Sequence, residues 1–120
     1  MPPTWAANQT ITQLTSVVDT EQLSTALDLV ASYLTNVTII ANSDQTTPVD
    51  TIIVRVYRSR DGTNFDDEPY ESFSFLPDDG NDYRKSFDIP MCIQVKLGLE
   101  SAGSTDTYVV DADYRRLTAI

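Results

Sequence analysis

Eight carboxylates fall between positions 61 and 82: Asp61, Asp66, Asp67, Glu68, Glu71, Asp78, Asp79 and Asp82. Two chemistries are open to such a set. Paired carboxylates can act as general acid and base, the arrangement glycoside hydrolysis uses. Clustered Asp and Asn oxygens also suit calcium, which takes several hard ligands. The spacing favours neither. Gly62 follows Asp61 directly, rather than about five residues later as an EF-hand loop requires, and no second type of catalytic group flanks the acids. We read the run as turn residues that keep the chain soluble and expect no metal or cofactor, with calcium as the open alternative.

The chain has no histidine, so nothing stands ready to activate its Ser and Thr hydroxyls or its one cysteine, Cys92. Cys92 cannot form an internal disulfide and reads as a small strand residue. Four scattered glycines make no loop that cradles a phosphate. The expectation is a protein without enzymatic activity.

Binding chemistry has more material. Trp5, Tyr57, Phe65, Tyr70 and Tyr83 could form an aromatic platform for sugars, and Asn64, Phe65 and Tyr70 are the candidates for glycan contacts. The plainer reading, which we prefer, has Phe65 and Tyr70 packing their own loop and Trp5 anchoring an N-terminal arm. Six of the eight bases are arginine: Arg55, Arg58 and Arg60 together, Arg84 beside Lys85, and Arg115 with Arg116 near the end. They pair across strands or reach a neighbouring subunit, and Trp5, Arg115, Arg116 and Ile120 are the expected interface residues.

The whole chain narrows these options. Its net charge is −10, from 18 acids against 8 bases, which repels nucleic acid and anionic membrane surfaces. At 120 residues it can bury one core. It contains no apolar run of about eighteen residues for a transmembrane helix. The start, Met1-Pro2-Pro3-Thr4-Trp5, lacks the basic and apolar regions of a secretory signal, so synthesis in a cytoplasm is the expectation.

The elements that must position these groups are strands. Aspartate outnumbers glutamate fourteen to four, a bias toward turns and away from helix interiors. Residues 1–10 read as an extended arm, and 11–120 as one domain. Ile11–Val18 is a first strand. Residues 19–34 are ambiguous: Leu23, Ala26, Leu27, Val30 and Leu34 have helical spacing, whereas Leu27, Leu29, Ala31 and Tyr33 alternate. We favour a turn over 19–25 and a strand over about 26–41 with a bulge at 34–36, the alternative being a short helix. Ile52, Val54 and Val56 face one way, with Ile53, Arg55 and Tyr57 opposite. Phe73 and Phe75 alternate with serines, and Phe87 shares a face with Ile89. Ile93, Val95, Leu97 and Leu99 alternate most cleanly, and a last strand follows a turn at 100–106. The pair 91–99 and 107–116 is expected to form a long hairpin. About seven short strands with turn chemistry between them imply an all-β, antiparallel β-sandwich of Ig-like or jelly-roll type.

One stretch resembles a known group. The strand Ile53-Val54-Arg55-Val56, running into Tyr57-Arg58-Ser59-Arg60-Asp61-Gly62-Thr63-Asn64-Phe65-Asp66, is similar to small virion proteins of tailed bacteriophages. So is the strand Leu27-Asp28-Leu29. The resemblance spans roughly residues 25–116, and its motifs are mostly turn chemistry shared with tail components and carbohydrate-binding modules. It implies a β-sandwich that cements or decorates a capsid exterior, binding the major capsid protein and copies of itself, or one seated in the neck or tail. It brings no catalytic residues.

Overall fold

The computed structural model describes residues 3–7, 9–29, 33–77, 81–90 and 94–119, with positions 10–16 described as backbone alone. Val30, Ala31, Asp78, Asp79, Cys92, Ile93 and Ile120, on which expectations rested, lie outside the described residues. The strands are β1 (Thr4–Trp5), β2 (Gln9–Val17), β3 (Gln22–Leu23), β4 (Leu27–Asp28), β5 (Leu34–Ser43), β6 (Ile52–Ser59), β7 (Glu71–Phe75), β8 (Tyr83–Pro90), β9 (Gln94–Ser101) and β10 (Tyr108–Ala119). Seven of them have five residues or more, and three are two-residue pieces that complete sheet edges. No helix occurs among the described residues.

The strands form two antiparallel sheets. In the first, β10 and β5 are central, β8 is one edge, and β2 and β1 share the other edge along β10. In the second, β9 and β6 are central, β7 is one edge, and β3 and β4 share the other along β9. Counting each shared edge once gives four positions per sheet. The chain alternates between sheets in the order of a jelly roll, the eight-strand double Greek key.

Period-two patterning makes this sandwich. Val37, Ile39 and Ala41 on β5 and Tyr108, Val110 and Ala112 on β10 turn inward from one sheet. Ile52, Val54 and Val56 on β6 and Val95, Leu97 and Leu99 on β9 turn inward from the other. Each fully buried aliphatic side chain contributes about 1.5–3 kcal/mol. Along the open side, edge strands β7 and β8 belong to different sheets and are joined by aromatic pairs. Phe73 meets Phe87 edge-on at 5.0 Å and Phe75 stacks on Tyr83 at 5.3 Å.

Three expectations change. The last two strands do not form a hairpin: β9 pairs with β6 and β10 with β5, so residues 102–107 cross from one sheet to the other. Both strands bury alternate residues, and alternation is blind to which sheet a strand joins. The strand expected over 26–41 is two strands, β4 in one sheet and β5 in the other. β5 pairs in unbroken register with both neighbours, so 34–36 holds no bulge. The turn expected over 19–25 contains β3.

The crossover after β9 is anchored by two aspartates. Asp106, 1% exposed, accepts from the Ser43 hydroxyl at 2.7 Å and from the amides of Val49 and Asp50 at 2.8 and 2.7 Å. Asp50 reciprocates, accepting from the amides of Thr105 and Asp106, both at 2.8 Å. A Cβ on Gly103 would collide with the Asp50 carboxylate, so this close approach needs glycine. The β5–β6 and β9–β10 connections are thereby tied together at one end of the sandwich.

Candidate functional site

The Asp-Gly turn after β6 is organised by its own side chains. The Asp61 Oδ1 accepts from the amides of Thr63 and Asn64, each at 2.8 Å, and from the Ser59 hydroxyl at 3.1 Å. Its Oδ2 accepts from the Asn64 side-chain amide at 3.0 Å. Ser59 Oγ takes the amide of Gly62, whose φ of 80° is the left-handed region glycine tolerates. The amides of Asn64 and then Thr63 hold the Asp61 carboxyl well below the usual carboxylate range. Asp61 is thus engaged by its own turn, and Asn64 is bound to it.

The turn delivers Phe65 and Asp66 to the outer face of the second sheet. Phe65 bridges back to Ser59, and the Asp66 amide donates to the Arg58 carbonyl at 3.0 Å. There Phe65, Asp66 and Asp67 meet Tyr57 of β6, Lys96 of β9, Leu23 of β3 and Glu21. Together they line a groove of about 280 Å³. The Lys96 ammonium rests over the Phe65 ring, 4.6 Å from its centroid. Leu23 is 52% exposed at the rim. The Tyr57 hydroxyl donates to Glu21 at 2.9 Å, and Arg55 bridges Glu21 and Glu100, both at 2.9 Å. Hydrogen bonds from Arg55 to Glu100 and then Glu21 raise its pKa, and burial followed by the Glu21 bond raises that of Tyr57. Among the described residues, no side-chain partner engages the carboxylates of Asp66 or Asp67.

Tyr70 is not in this groove. It is 44% exposed, with the Arg58 guanidinium stacked 4.0 Å above its ring. Of the glycan-contact candidates Asn64, Phe65 and Tyr70, only Phe65 lines the concavity, where Tyr57 of the wider aromatic set joins it. Glu21, Leu23 and Lys96 were not singled out from the sequence. The outward alternation of Gln94, Lys96 and Gly98 was visible, but the strand that would lie beside them was not.

A second cluster sits where the chain ends meet. β1 pairs with the end of β10, Trp5 opposite Leu117 and Thr4 opposite Ala119. The Ala6 amide donates to the Arg116 carbonyl at 2.8 Å. Trp5, 39% exposed, lies 5.9 Å from the Arg115 guanidinium. With Leu34, Asn36 and Asp88 they border a shallow hollow of about 310 Å³. Trp5 and Arg115 are therefore brought together at one edge of the first sheet by the chain's own pairing, whereas Arg116, the next residue along β10, joins them only through its backbone carbonyl.

No group of three or more His, Cys, Asp or Glu side chains among the described residues is placed to hold a metal ion. Among the described residues, no helix is long and apolar enough to cross a membrane.

No protein-family model matches the chain, and no curated protein matches it. Solved structures do. A CBM4 carbohydrate-binding module superposes with a TM-score of 0.51 at 14% identity, covering 82% of this chain and 58% of that one. The CBM22-1 xylan-binding domain of Xyn10C from Paenibacillus barcinonensis superposes with a TM-score of 0.53 at 14% identity, covering 79% and 64%. The chain thus spans less than two thirds of either structure. A subunit from the disulfide-linked pili of Bacillus endospore appendages aligns over 98% of this chain and 92% of its own, at 14% identity and a TM-score of 0.44. At this identity the first two likenesses establish a shared β-sandwich fold.

Proposed function

We propose that the chain is a non-enzymatic virion structural protein of a tailed bacteriophage, of the capsid cement or decoration type. It binds the major capsid protein and copies of itself on the capsid exterior. The observation that carries the reading is the edge where Trp5 and Arg115 meet, with Arg116 next to them on β10. On a chain of net charge −10, an exposed indole beside an arginine is the combination enriched in protein interfaces. The resemblance over residues 25–116 supports it, and viral capsid domains are among the users of the jelly roll, a point of analogy only. Binding only to the assembled shell would stabilise that shell by mass action.

Cryo-electron microscopy of native particles tests the proposal. The expected density crosses capsomer boundaries, with Trp5, Arg115 and Arg116 against a neighbour. Density in the neck or tail would keep a virion role and reject cement, and absence from purified particles would reject both. A Trp5→Ala, Arg115→Ala variant should fold normally by circular dichroism and fail to decorate.

A second reading, a carbohydrate-binding module, is favoured by the fold shared with the CBM4 and CBM22-1 modules. Lectin domains also use the jelly roll. Retention on immobilised polysaccharide by the isolated monomer would favour it over the first.

A further inference from the structure

We infer that the groove lined by Phe65 is a binding site for one ring of a neutral saccharide. The inference rests on the second reading and deepens it by naming the site and the ligand class.

The groove has one apolar wall and two kinds of polar group. Leu23 and the rings of Tyr57 and Phe65 supply the wall. Asp66 and Asp67 supply carboxylate acceptors with no other partner among the described residues. Lys96 supplies ammonium donors, held in position by the Phe65 ring. Glu21 is already occupied by Arg55 and by the Tyr57 hydroxyl, so it fixes the back of the groove rather than reaching for a ligand.

This mixture of signs selects the ligand. An anion would meet the carboxylates of Asp66 and Asp67. A cation would meet the ammonium of Lys96 over the Phe65 ring. A hydroxyl both donates and accepts, so a neutral polyol can give its protons to Asp66 and Asp67 and take one from Lys96. A pyranose also has faces of C–H groups, which suit the wall of Leu23, Tyr57 and Phe65. At about 280 Å³, the groove lies at the lower limit of small-molecule sites, roughly 300–1,000 Å³, and so accepts one ring rather than a chain. The fold keeps the site formed without ligand. The Asp61 turn sets Phe65 and Asp66, and the Glu21–Arg55–Glu100 bridge ties the segment before β3 to β6 and β9. Preformation lowers the ordering cost of binding.

The test is isothermal titration calorimetry of the whole chain against cellohexaose, xylohexaose and mannohexaose. An oligogalacturonate and a chitosan oligosaccharide serve as the anionic and cationic counterparts. At least one neutral sugar should bind, and Phe65→Ala, Asp67→Asn and Lys96→Met should each weaken it by about tenfold or more. Tyr33→Ala, at an exposed aromatic outside the groove, should leave it unchanged. Asp67 and Lys96 are surface groups, so those two variants keep the test valid if Phe65→Ala fails to fold. Binding that survives all three variants overturns the site and leaves carbohydrate binding standing. Preference for a charged oligosaccharide overturns the ligand class. Absence of binding to any member of the panel overturns both the site and the second reading, and leaves the virion reading untouched.

Discussion

Replacing Asp106 by alanine tests whether the jelly roll is held shut at its crossover. The carboxylate is 1% exposed and accepts three hydrogen bonds, from Ser43 and from the amides of Val49 and Asp50. A hydrogen bond to a charged group contributes about 1.5–3 kcal/mol. In the variant, part-exposure at 49 and 50 lets water recover some of the loss, whereas the buried Ser43 hydroxyl loses its acceptor. The expected cost is therefore about 3–4 kcal/mol rather than the full sum, a large share of the roughly 5–15 kcal/mol that stabilises a domain. Asp106→Asn keeps one acceptor and should cost about 1–2 kcal/mol. The control is Asp44→Ala, which removes one exposed bond from the Thr107 amide and should cost under about 1 kcal/mol. Urea unfolding at pH 7, followed by far-ultraviolet circular dichroism, reads all three. A second axis is pH. Burial opposes ionisation of Asp106, but the Ser43 hydroxyl and the amides of Asp50 and Val49 outweigh it, so its pKa is lowered. A carboxyl whose folded pKa lies below its unfolded value, about 3.9, stabilises the fold above that value. The contribution is lost as pH falls through the lowered folded pKa. The gap between wild type and Asp106→Asn should therefore be flat from about pH 5 to 8 and shrink below about pH 4. If Asp106→Ala costs no more than Asp44→Ala, the crossover is not held by this carboxylate and the reasoning fails.

Three further substitutions probe the scaffold. Thr35→Val removes a hydroxyl that is buried without a partner among the described residues; it should raise stability by about 1 kcal/mol, and a lower urea midpoint would show that Oγ1 is satisfied in solution. Gly62→Ala imposes a side chain at a φ of 80° and should cost about 1–2 kcal/mol, with an unchanged melting temperature arguing against the turn as described. Arg55→Ala leaves Glu21 and Glu100 without their shared cation. It should cost about 1–2 kcal/mol, since the pair is only partly exposed, and speed amide exchange at residues 22–24. Exchange there no faster than in wild type would mean the bridge does not hold that edge.

The strands were legible where burial alternates without interruption. Ile52, Val54 and Val56, and Val95, Leu97 and Leu99, face inward as their spacing requires. The two-residue β3 was not legible, because two residues show no period, and β4 was read as strand but not as separate from β5. The Asp61–Gly62 turn could be read locally, since its donors all lie within three residues of Asp61. The groove could not: it joins residues around position 21, 57, 65–67 and 96, whose proximity follows from strand order. Trp5 and Arg115 were each picked out for lying near a chain end, yet their meeting depends on β1 pairing with β10.

By itself, the sequence determined that this chain is an acidic, all-β sandwich whose ionisable groups lack a histidine partner, because composition and period-two burial are local properties. Tertiary structure alone decided that β9 and β10 part into different sheets and that Asp106 is the buried anchor of their crossover. It also decided that Glu21, Leu23 and Lys96 complete a groove around Phe65. An alternating strand satisfies its hydrogen bonds equally well beside any neighbour, and only the closing of two sheets over one core chooses among them.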